Sequence, residues 1–266
     1  MGVLVDHSNY RKVSDEYIKA EQKLREINTA KDKFFSIIAH DLKSPFNAIL
    51  GFANLLLTDL ERATPEQFRS YISIIHKSAN KGLTLLENLL KWSMSQTNKM
   101  KFKKSPFDLS ELLSENIDFV GEKAAMKGIE IDCICDGKIQ VDADKNMIDT
   151  VLRNLLSNAV KFTRANGKVV VTVKIVGKKK KAEPLKVHVT VADNGIGIEE
   201  KDLKKLFRID SQFSTQGTAF EQGTGLGLIL CNEFINKHEG EIWVDSVVGQ
   251  GSQFHFTIPL EKTEKK

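Results

Sequence analysis

The sequence predicts two fold classes in series, an all-α antiparallel helical hairpin followed by an α/β sandwich. Three observations carry this reading. From Tyr10 to Ile38 apolar or small residues recur at intervals of three and four, interrupted only at Lys31, and a heptad spacing continues to about Leu90, the pattern of one helix face. Beyond Pro106 segments such as Lys168–Val176 and Val187–Ala192 alternate with period two, as half-buried strands do. The Gly-rich turns VADNGIGI (191–198) and GTGLGL (223–228) fall only in this second part.

The first helix is expected from about residue 10 to about 61. Its seam runs through Tyr10, Val13, Tyr17, Ala20, Leu24, Ile27, Phe34 and Ile38, then Leu42, Ile49, Phe52, Ala53 and Leu56. So narrow a stripe, flanked by charged residues, suits a coiled coil with a partner helix. Pro45 lies inside it and is expected to kink it, since proline removes a backbone hydrogen bond and crowds the preceding turn. Thr64-Pro65-Glu66-Gln67 opens a second helix, with Thr64 as N-cap, Pro65 in the first position and Gln67 completing a capping box. Its seam continues through Phe68, Ile72, Ile75, Ala79, Gly82 or Leu83, Leu86 and Leu89 or Leu90, ending in the polar stretch 93–104. One hairpin cannot bury such a seam alone, so two are expected to pair as a dimeric four-helix bundle, making the chain a homodimer.

KKSPFDLSELL, with Pro106 and a capping Asp108, marks the boundary. After it the pattern predicts a helix over 109–127, a strand over 129–135, a helix over 144–162 and strands over 168–176 and 187–192. GKKKKAEP between that last pair reads as a solvated hairpin tip. Strands over 241–246 and 252–260 complete a sandwich with helices on one sheet face.

Composition narrows the function. Thirty-nine basic residues against 35 acidic give a net charge of +4, a mixed surface rather than a nucleic-acid footprint. Cys133, Cys135 and Cys231 match neither a disulfide framework nor a zinc pattern, and a reduced compartment is expected. Cys133 and Cys135, alternating in IEIDCICD, are expected to face a core. No run approaches the ~20 apolar residues of a membrane span, and MGVLVDHSNY lacks a signal-peptide pattern.

Three constellations suggest a nucleotide. Asn154 and Asn158 share a helix face with Lys161 and Phe162 one turn on; an amide oxygen suits Mg²⁺ already bound to phosphate, and lysine suits phosphate itself. Asp193, ending a strand before Gly195, Gly197 and Ile198, is placed to accept a hydrogen bond from an exocyclic amine such as adenine's. Gly223, Thr224, Gly225, Leu226 and Gly227 precede an apolar helix, like an anion cradle at a helix N-terminus. The spacing is neither a Walker loop nor a Rossmann fingerprint. The polar, Phe-dotted stretch 208–222 reads as a mobile lid. In SIIAHDLKSPFNAILGF, His40 stands beside Asp41 and five residues before Pro45. A lone histidine on an apolar face is more often a packing residue.

Together these segments resemble the bacterial sensor histidine kinases, whose catalytic domain belongs to the Bergerat-fold ATPase group. AHDLKSPF looks like the family's H box, NLLSNAVKFT its N box, VADNGIGI its G1 box and GTGLGL its G2 box. The resemblance covers about residues 30–260. It implies ATP and Mg²⁺ as cofactors, His40 as phosphoacceptor and Asp41 as hydrogen-bond acceptor or general base. Asn158 would be the Mg²⁺ ligand supported by Asn154, with Lys161 on phosphate, Phe162 against adenine and Asp193 on the adenine amine. Gly195, Gly197 and Ile198 would shape the adenine loop, and residues 223–227 would wrap the triphosphate. Arg208 matches a lid arginine that approaches the γ-phosphate. Ser44 stands where members with phosphatase activity carry Thr or Asn, and KKLFRID supplies Phe207 without the second aromatic usual near it.

The expected function is autophosphorylation of His40, then phosphotransfer to an aspartate of a response regulator's receiver domain. The expected organisation is a signalling coiled-coil helix over 1–30, a dimerisation and histidine phosphotransfer domain over 31–104 and an ATP-binding catalytic domain over 105–266. The heptads read as the cytoplasmic portion of a longer receptor with an upstream sensor domain, a membrane anchor ahead of it being one form this would take. The rivals are an ATPase of the chaperone or topoisomerase kind, hydrolysing ATP without phosphohistidine, and a nucleotide-binding scaffold.

Overall fold

The computed structural model describes residues 7–58, 64–96, 100–177, 185–208, 215–219, 221 and 225–260. They form two compact units that divide between Gly82 and Leu83. Helix α1 covers His7–Thr58 and α2 covers Pro65–Gln96. Both halves of the capping box are made: Thr64 N–H donates to Gln67 Oε1 at 2.9 Å, and Gln67 N–H to Thr64 Oγ1 at 3.3 Å. The first unit is held as a hairpin by contacts such as Phe52 on Tyr71, their ring centroids 5.4 Å apart. Gly82 of α2 lies against the Pro45 ring of α1.

This hairpin leaves much of its apolar stripe uncovered. Phe46, Leu50, Leu57 and Ile72 are 48–75% exposed, as are Tyr17 and Leu24 farther along α1 at 71% and 64%. No helix among the described residues is long and apolar enough to cross a membrane.

The second unit contains a five-stranded sheet with helices packed on one face. The strands are β1 (Ser105–Asp108), β2 (Glu130–Cys135), β3 (Gln140–Ala143), β4 (Lys168–Val176), β5 (Lys186–Asp193), β6 (Glu241–Val247) and β7 (Gly251–Pro259); the helices are α3 (Leu109–Met126), α4 (Lys145–Phe162), the short α5 (Glu200–Leu203) and α6 (Gly227–Lys237). Sheet order is β2-β4-β5-β7-β6; β2 and β4 run parallel and the other neighbours antiparallel. Period-two alternation points Val169, Val171, Val187, Val189, Val191, Phe254 and Phe256 inward, all 5% exposed or less. Against them α4 presents Ile148, Val151, Leu152, Leu155 and Leu156, each 0% exposed. Burying each of the larger of these side chains stabilises the fold by ~1.5–3 kcal/mol.

Asp144 caps α4, its Oδ1 accepting from Asn146 and Met147 N–H. Its other oxygen, Oδ2, takes Lys103 N–H at 3.0 Å, while its own N–H donates to His238 Nε2 at 3.0 Å. The N-terminus of α4 is thus fixed on two sides.

Two features depart from the sequence expectation. β1 and β3 pair antiparallel as a separate ribbon at the start of the second unit, where only a boundary and a cap are expected. Cys133 is exposed and Cys135 half-exposed rather than both facing a core. β2 is one of the sheet's two edge strands, and partial burial raises the Cys133 thiol, with Cys135 adding to the rise.

Candidate nucleotide site

Beside α4 and the β5–α5 loop lies a cavity of about 480 Å³. The apolar seam of α4 faces the sheet, so residues at the margin of that face, Asn154, Asn158 and Lys161, look into the cavity with Phe162. Asn154 is steadied by Nδ2 donating to Thr150 O at 2.9 Å. Lys161 Nζ sits 4.5 Å from the Phe162 ring centroid and donates to Thr215 O at 3.1 Å. Burial pulls its pKa below the usual lysine value, while the Glu221 carboxylate pulls the other way.

Asp193 ends β5 on the opposite wall, buried, with Oδ1 accepting Gly195 N–H at 2.9 Å. Burial pushes its carboxyl up to about 6, against the hydrogen bonds from Gly195 and Ser252 N–H that favour the charged form. A carboxylate held mostly out of water, with one oxygen tied, can take a donor from a ligand. The loop after it is pinned at several points: Ile196 N–H to Phe162 O at 3.2 Å, Gly249 N–H to Ile196 O at 2.8 Å and Ile198 N–H to Ser246 Oγ at 2.9 Å. Gly197 has φ +70°, and a Cβ there would collide with the Val247 carbonyl, so the loop needs glycine twice over.

Of the residues singled out from sequence, Asn154, Asn158, Lys161, Phe162, Asp193, Gly197, Ile198, Gly225 and Gly227 line this one cavity. Gly195 and Leu226 are buried just behind it. Gly223 and Thr224 lie outside the described residues. Arg208 is exposed and lies outside the cavity wall. Of the supposed lid, Thr215 joins the wall. Sequence reasoning missed Arg164, Ile196, Leu206, Val248, Ser252 and Phe254, which also line it. Ser252 and Phe254 come to the site because β7 pairs with β5, with Ser252 opposite Asp193, a pairing that no local signal gives.

An amide oxygen such as that of Asn158 is a hard donor of the kind Mg²⁺ accepts. Among the described residues no three of His, Cys, Asp and Glu group closely enough to hold an ion. A metal at Asn158 would therefore complete its shell with ligand oxygens and water, the usual mode for Mg²⁺ on phosphates.

In the first unit His40 is exposed, its side chain 84% accessible, with Nδ1 3.3 Å from Asp41 Oδ1. Ser44 is exposed one turn on, and Pro45 is buried.

A helical hairpin bearing an exposed histidine and a sandwich enclosing an Asn/Lys/Asp/Gly cavity fit the class of a phosphoacceptor domain joined to an ATPase domain. Residues 30–98 match the model of the His Kinase A (phospho-acceptor) domain, and residues 143–262 that of the Histidine kinase-, DNA gyrase B-, and HSP90-like ATPase. The chain belongs to the sensor histidine kinases and carries their ATP-binding domain. It is 32% identical over 259 residues to the Non-motile and phage-resistance protein of Caulobacter vibrioides, covering 96% of this chain and 30% of that one. To the signal transduction histidine-protein kinase BarA of Escherichia coli K12 it is 31% identical, covering 91% and 26%. The chain thus spans under a third of the length of these relatives. Among solved structures it resembles the catalytic domain of histidine kinase ThkA, 34% identical with TM-score 0.50, over 60% of this chain and 97% of that one. It also resembles ThkA in complex with the response regulator protein TrrA, 26% identical with TM-score 0.69, over 94% and 67%.

Proposed function

We propose that this chain is the kinase core of a two-component sensor, transferring the γ-phosphoryl group of ATP to His40 and then to an aspartate of a response regulator's receiver domain. The observation that carries the reading is the pairing, on one chain, of an exposed His40–Asp41 couple with a cavity lined by Asn158, Lys161, Phe162 and Asp193. The ThkA–TrrA complex supports a response regulator as partner.

Asp41, accepting from Nδ1–H, keeps the imidazole proton on that nitrogen and leaves the lone pair on Nε2. Nε2 forms the new bond to the γ-phosphorus as the bond to the β,γ-bridging oxygen breaks and ADP leaves. Asp193 accepts from the adenine amine and Phe162 lines the base. Asn158, supported by Asn154, provides the protein ligand for Mg²⁺, and Lys161 faces phosphate. When bound, Mg²⁺ would neutralise charge on the β- and γ-phosphate oxygens. Ser44 offers a hydroxyl for the reverse, regulator-directed hydrolysis.

The uncovered apolar stripe on α1 and α2 supports a homodimer in which two hairpins close a four-helix bundle. In this reading residues 1–30 carry the signal, 31–104 dimerise and hold the phosphoacceptor, and 105–266 bind ATP. The greater length of the relatives supports an upstream sensor domain. Incubation with γ-labelled ATP and Mg²⁺ tests the core claim. The label should be acid-labile, alkali-stable and absent in His40→Ala; acid-stable label, or label retained in that variant, overturns it.

A further inference from the structure

The C-terminal end of α4 sits beside the cavity, and its last carbonyls need partners, as at any helix end. They find one in Lys127, which follows α3 and whose side chain is only 14% exposed. Its Nζ donates to Val160 O at 2.9 Å and Lys161 O at 3.1 Å. The same ammonium donates to Thr218 Oγ1 at 2.7 Å and pairs with Glu221 Oε1 at 3.1 Å. It therefore bridges a helix terminus of negative partial charge and a segment more than 50 residues later in the chain.

That segment is built to receive it. Thr218 N–H donates to Lys161 O at 3.1 Å, and its hydroxyl stands 2.7 Å from Thr163 O as well. Glu221 closes the turn, its carbonyl accepting Gly217 N–H at 2.7 Å and its Oε2 accepting Ala219 N–H at 2.8 Å. Burial pushes the Glu221 carboxyl up, but hydrogen bonds from backbone N–H groups and from Lys127 outweigh it and hold the pKa below the usual value. At the other end of the turn Thr215 lines the cavity and accepts from Lys161 Nζ.

We infer that Lys127 is a positioning residue for the nucleotide site: it latches the Thr215–Glu221 turn onto the end of α4 and so sets the affinity for ATP. The inference rests on the ATP-binding reading of the cavity. Lys127 itself is not part of the cavity wall, so it acts through Thr215 and Lys161 rather than by touching ligand. Removing the ammonium leaves two helix-end carbonyls and the Glu221 carboxylate short of a donor at once. The turn then keeps the Thr218 hydrogen bonds to Lys161 and Thr163 and the Lys161–Thr215 contact but loses its charged tie to α4, and the wall behind the phosphate-facing lysine loosens.

The test uses the full chain and two measurements: amide hydrogen exchange over residues 215–221 without ligand, and ATP affinity by calorimetry. Lys127→Met should speed exchange of the Gly217, Thr218 and Ala219 amides at least tenfold and weaken ATP binding at least fivefold, while exchange in the core of α4 stays as in the wild type. Lys127→Arg should restore part of both. Should Lys127→Met fail to fold, Glu221→Gln and Thr218→Ala loosen the turn from its other side and should move both readouts the same way. Unchanged exchange in a folded variant overturns the latch. Faster exchange with unchanged ATP affinity overturns the positioning role. A wild type that binds no ATP, with exchange still faster in Lys127→Met, upholds the latch and overturns the nucleotide reading instead.

Discussion

The side-chain oxygen of Asn154 lies 2.5 Å from where a Cβ on Gly227 would stand. The amide cannot swing aside freely, because its Nδ2 is bonded to Thr150 O at 2.9 Å. The start of α6 thus approaches α4 as closely as it does only because residue 227 has no side chain, and both residues line the cavity.

Gly227→Ala should accordingly destabilise the second unit by ~1–3 kcal/mol, the usual cost of overpacking. Adding Asn154→Ala should recover much of that loss, since the two substitutions act on one contact and are not additive. Urea unfolding of the two single variants and the double variant measures the coupling; strictly additive losses would show that the contact does not set the packing.

Asp193→Asn should weaken ATP binding roughly 10- to 100-fold, the ~1.5–3 kcal/mol of a hydrogen bond to a charged group. In the wild type, affinity should also fall as pH is lowered through about 6, where the buried carboxyl takes up a proton. The same raised pKa fixes a sign for folding. The native ligand-free state binds the proton more tightly than the unfolded chain, so this group's stabilisation is full below the ordinary value of 3.8 and is lost as pH rises through about 6. Asp193→Asn should flatten both dependences, read by calorimetry and by thermal melts across pH 4–8.

His238 gives the opposite slope. Its Nε2 accepts Asp144 N–H at 3.0 Å, so its proton sits on Nδ1, 2.7 Å from Phe234 O. Burial holds its pKa below the ordinary 6.5, partly offset by the Phe234 carbonyl and Asp144. As pH falls below 6.5 the unfolded chain takes a proton that the folded chain refuses, and stability declines. His238→Ala should remove that decline and cost ~1–3 kcal/mol near pH 7 by leaving the Asp144 N–H unpaired. Equal pH profiles for variant and wild type would contradict the assignment.

Chelation separates the metal role of Asn158 from a role in binding the nucleotide itself. With Mg²⁺ present the wild type should bind ATP at least tenfold more tightly than in excess chelator, whereas Asn158→Ala should bind with the weaker constant in both conditions. An unreduced Mg²⁺ effect in the variant would remove Asn158 from the metal site.

The sequence foretold local signals best. Thr64 and Gln67 form the capping box they spell, and the strands that alternate over five or more residues fall within two residues of their expected bounds. It was silent where structure depends on distant partners. Ser105–Asp108 and Gln140–Ala143 are too short to show a period, and their pairing joins Phe107 to Val141. Alternation pointed Cys133 and Cys135 to a core, but nothing local announced that β2 would lie at a sheet edge with Cys133 exposed. Lys127 read as an ordinary helix-end lysine, because nothing local announces the partners it meets at Val160 and Thr218. For the cavity, motif residues told which side chains converge, while Leu206 and Val248 enter it through loops without a pattern of their own.

The continuity of α1 from His7 to Thr58 has a geometric consequence. At ~1.5 Å per residue its 52 residues make a shaft of ~78 Å with ~100° of turn per residue, so His40 occupies a fixed angle relative to every residue before it. A rotation applied anywhere along the shaft would be geared to the histidine by residue count. Seven residues spliced in ahead of residue 30 would return His40 to within ~20° of its original bearing, whereas two would swing it to the far side. The helix therefore conveys phase as well as distance.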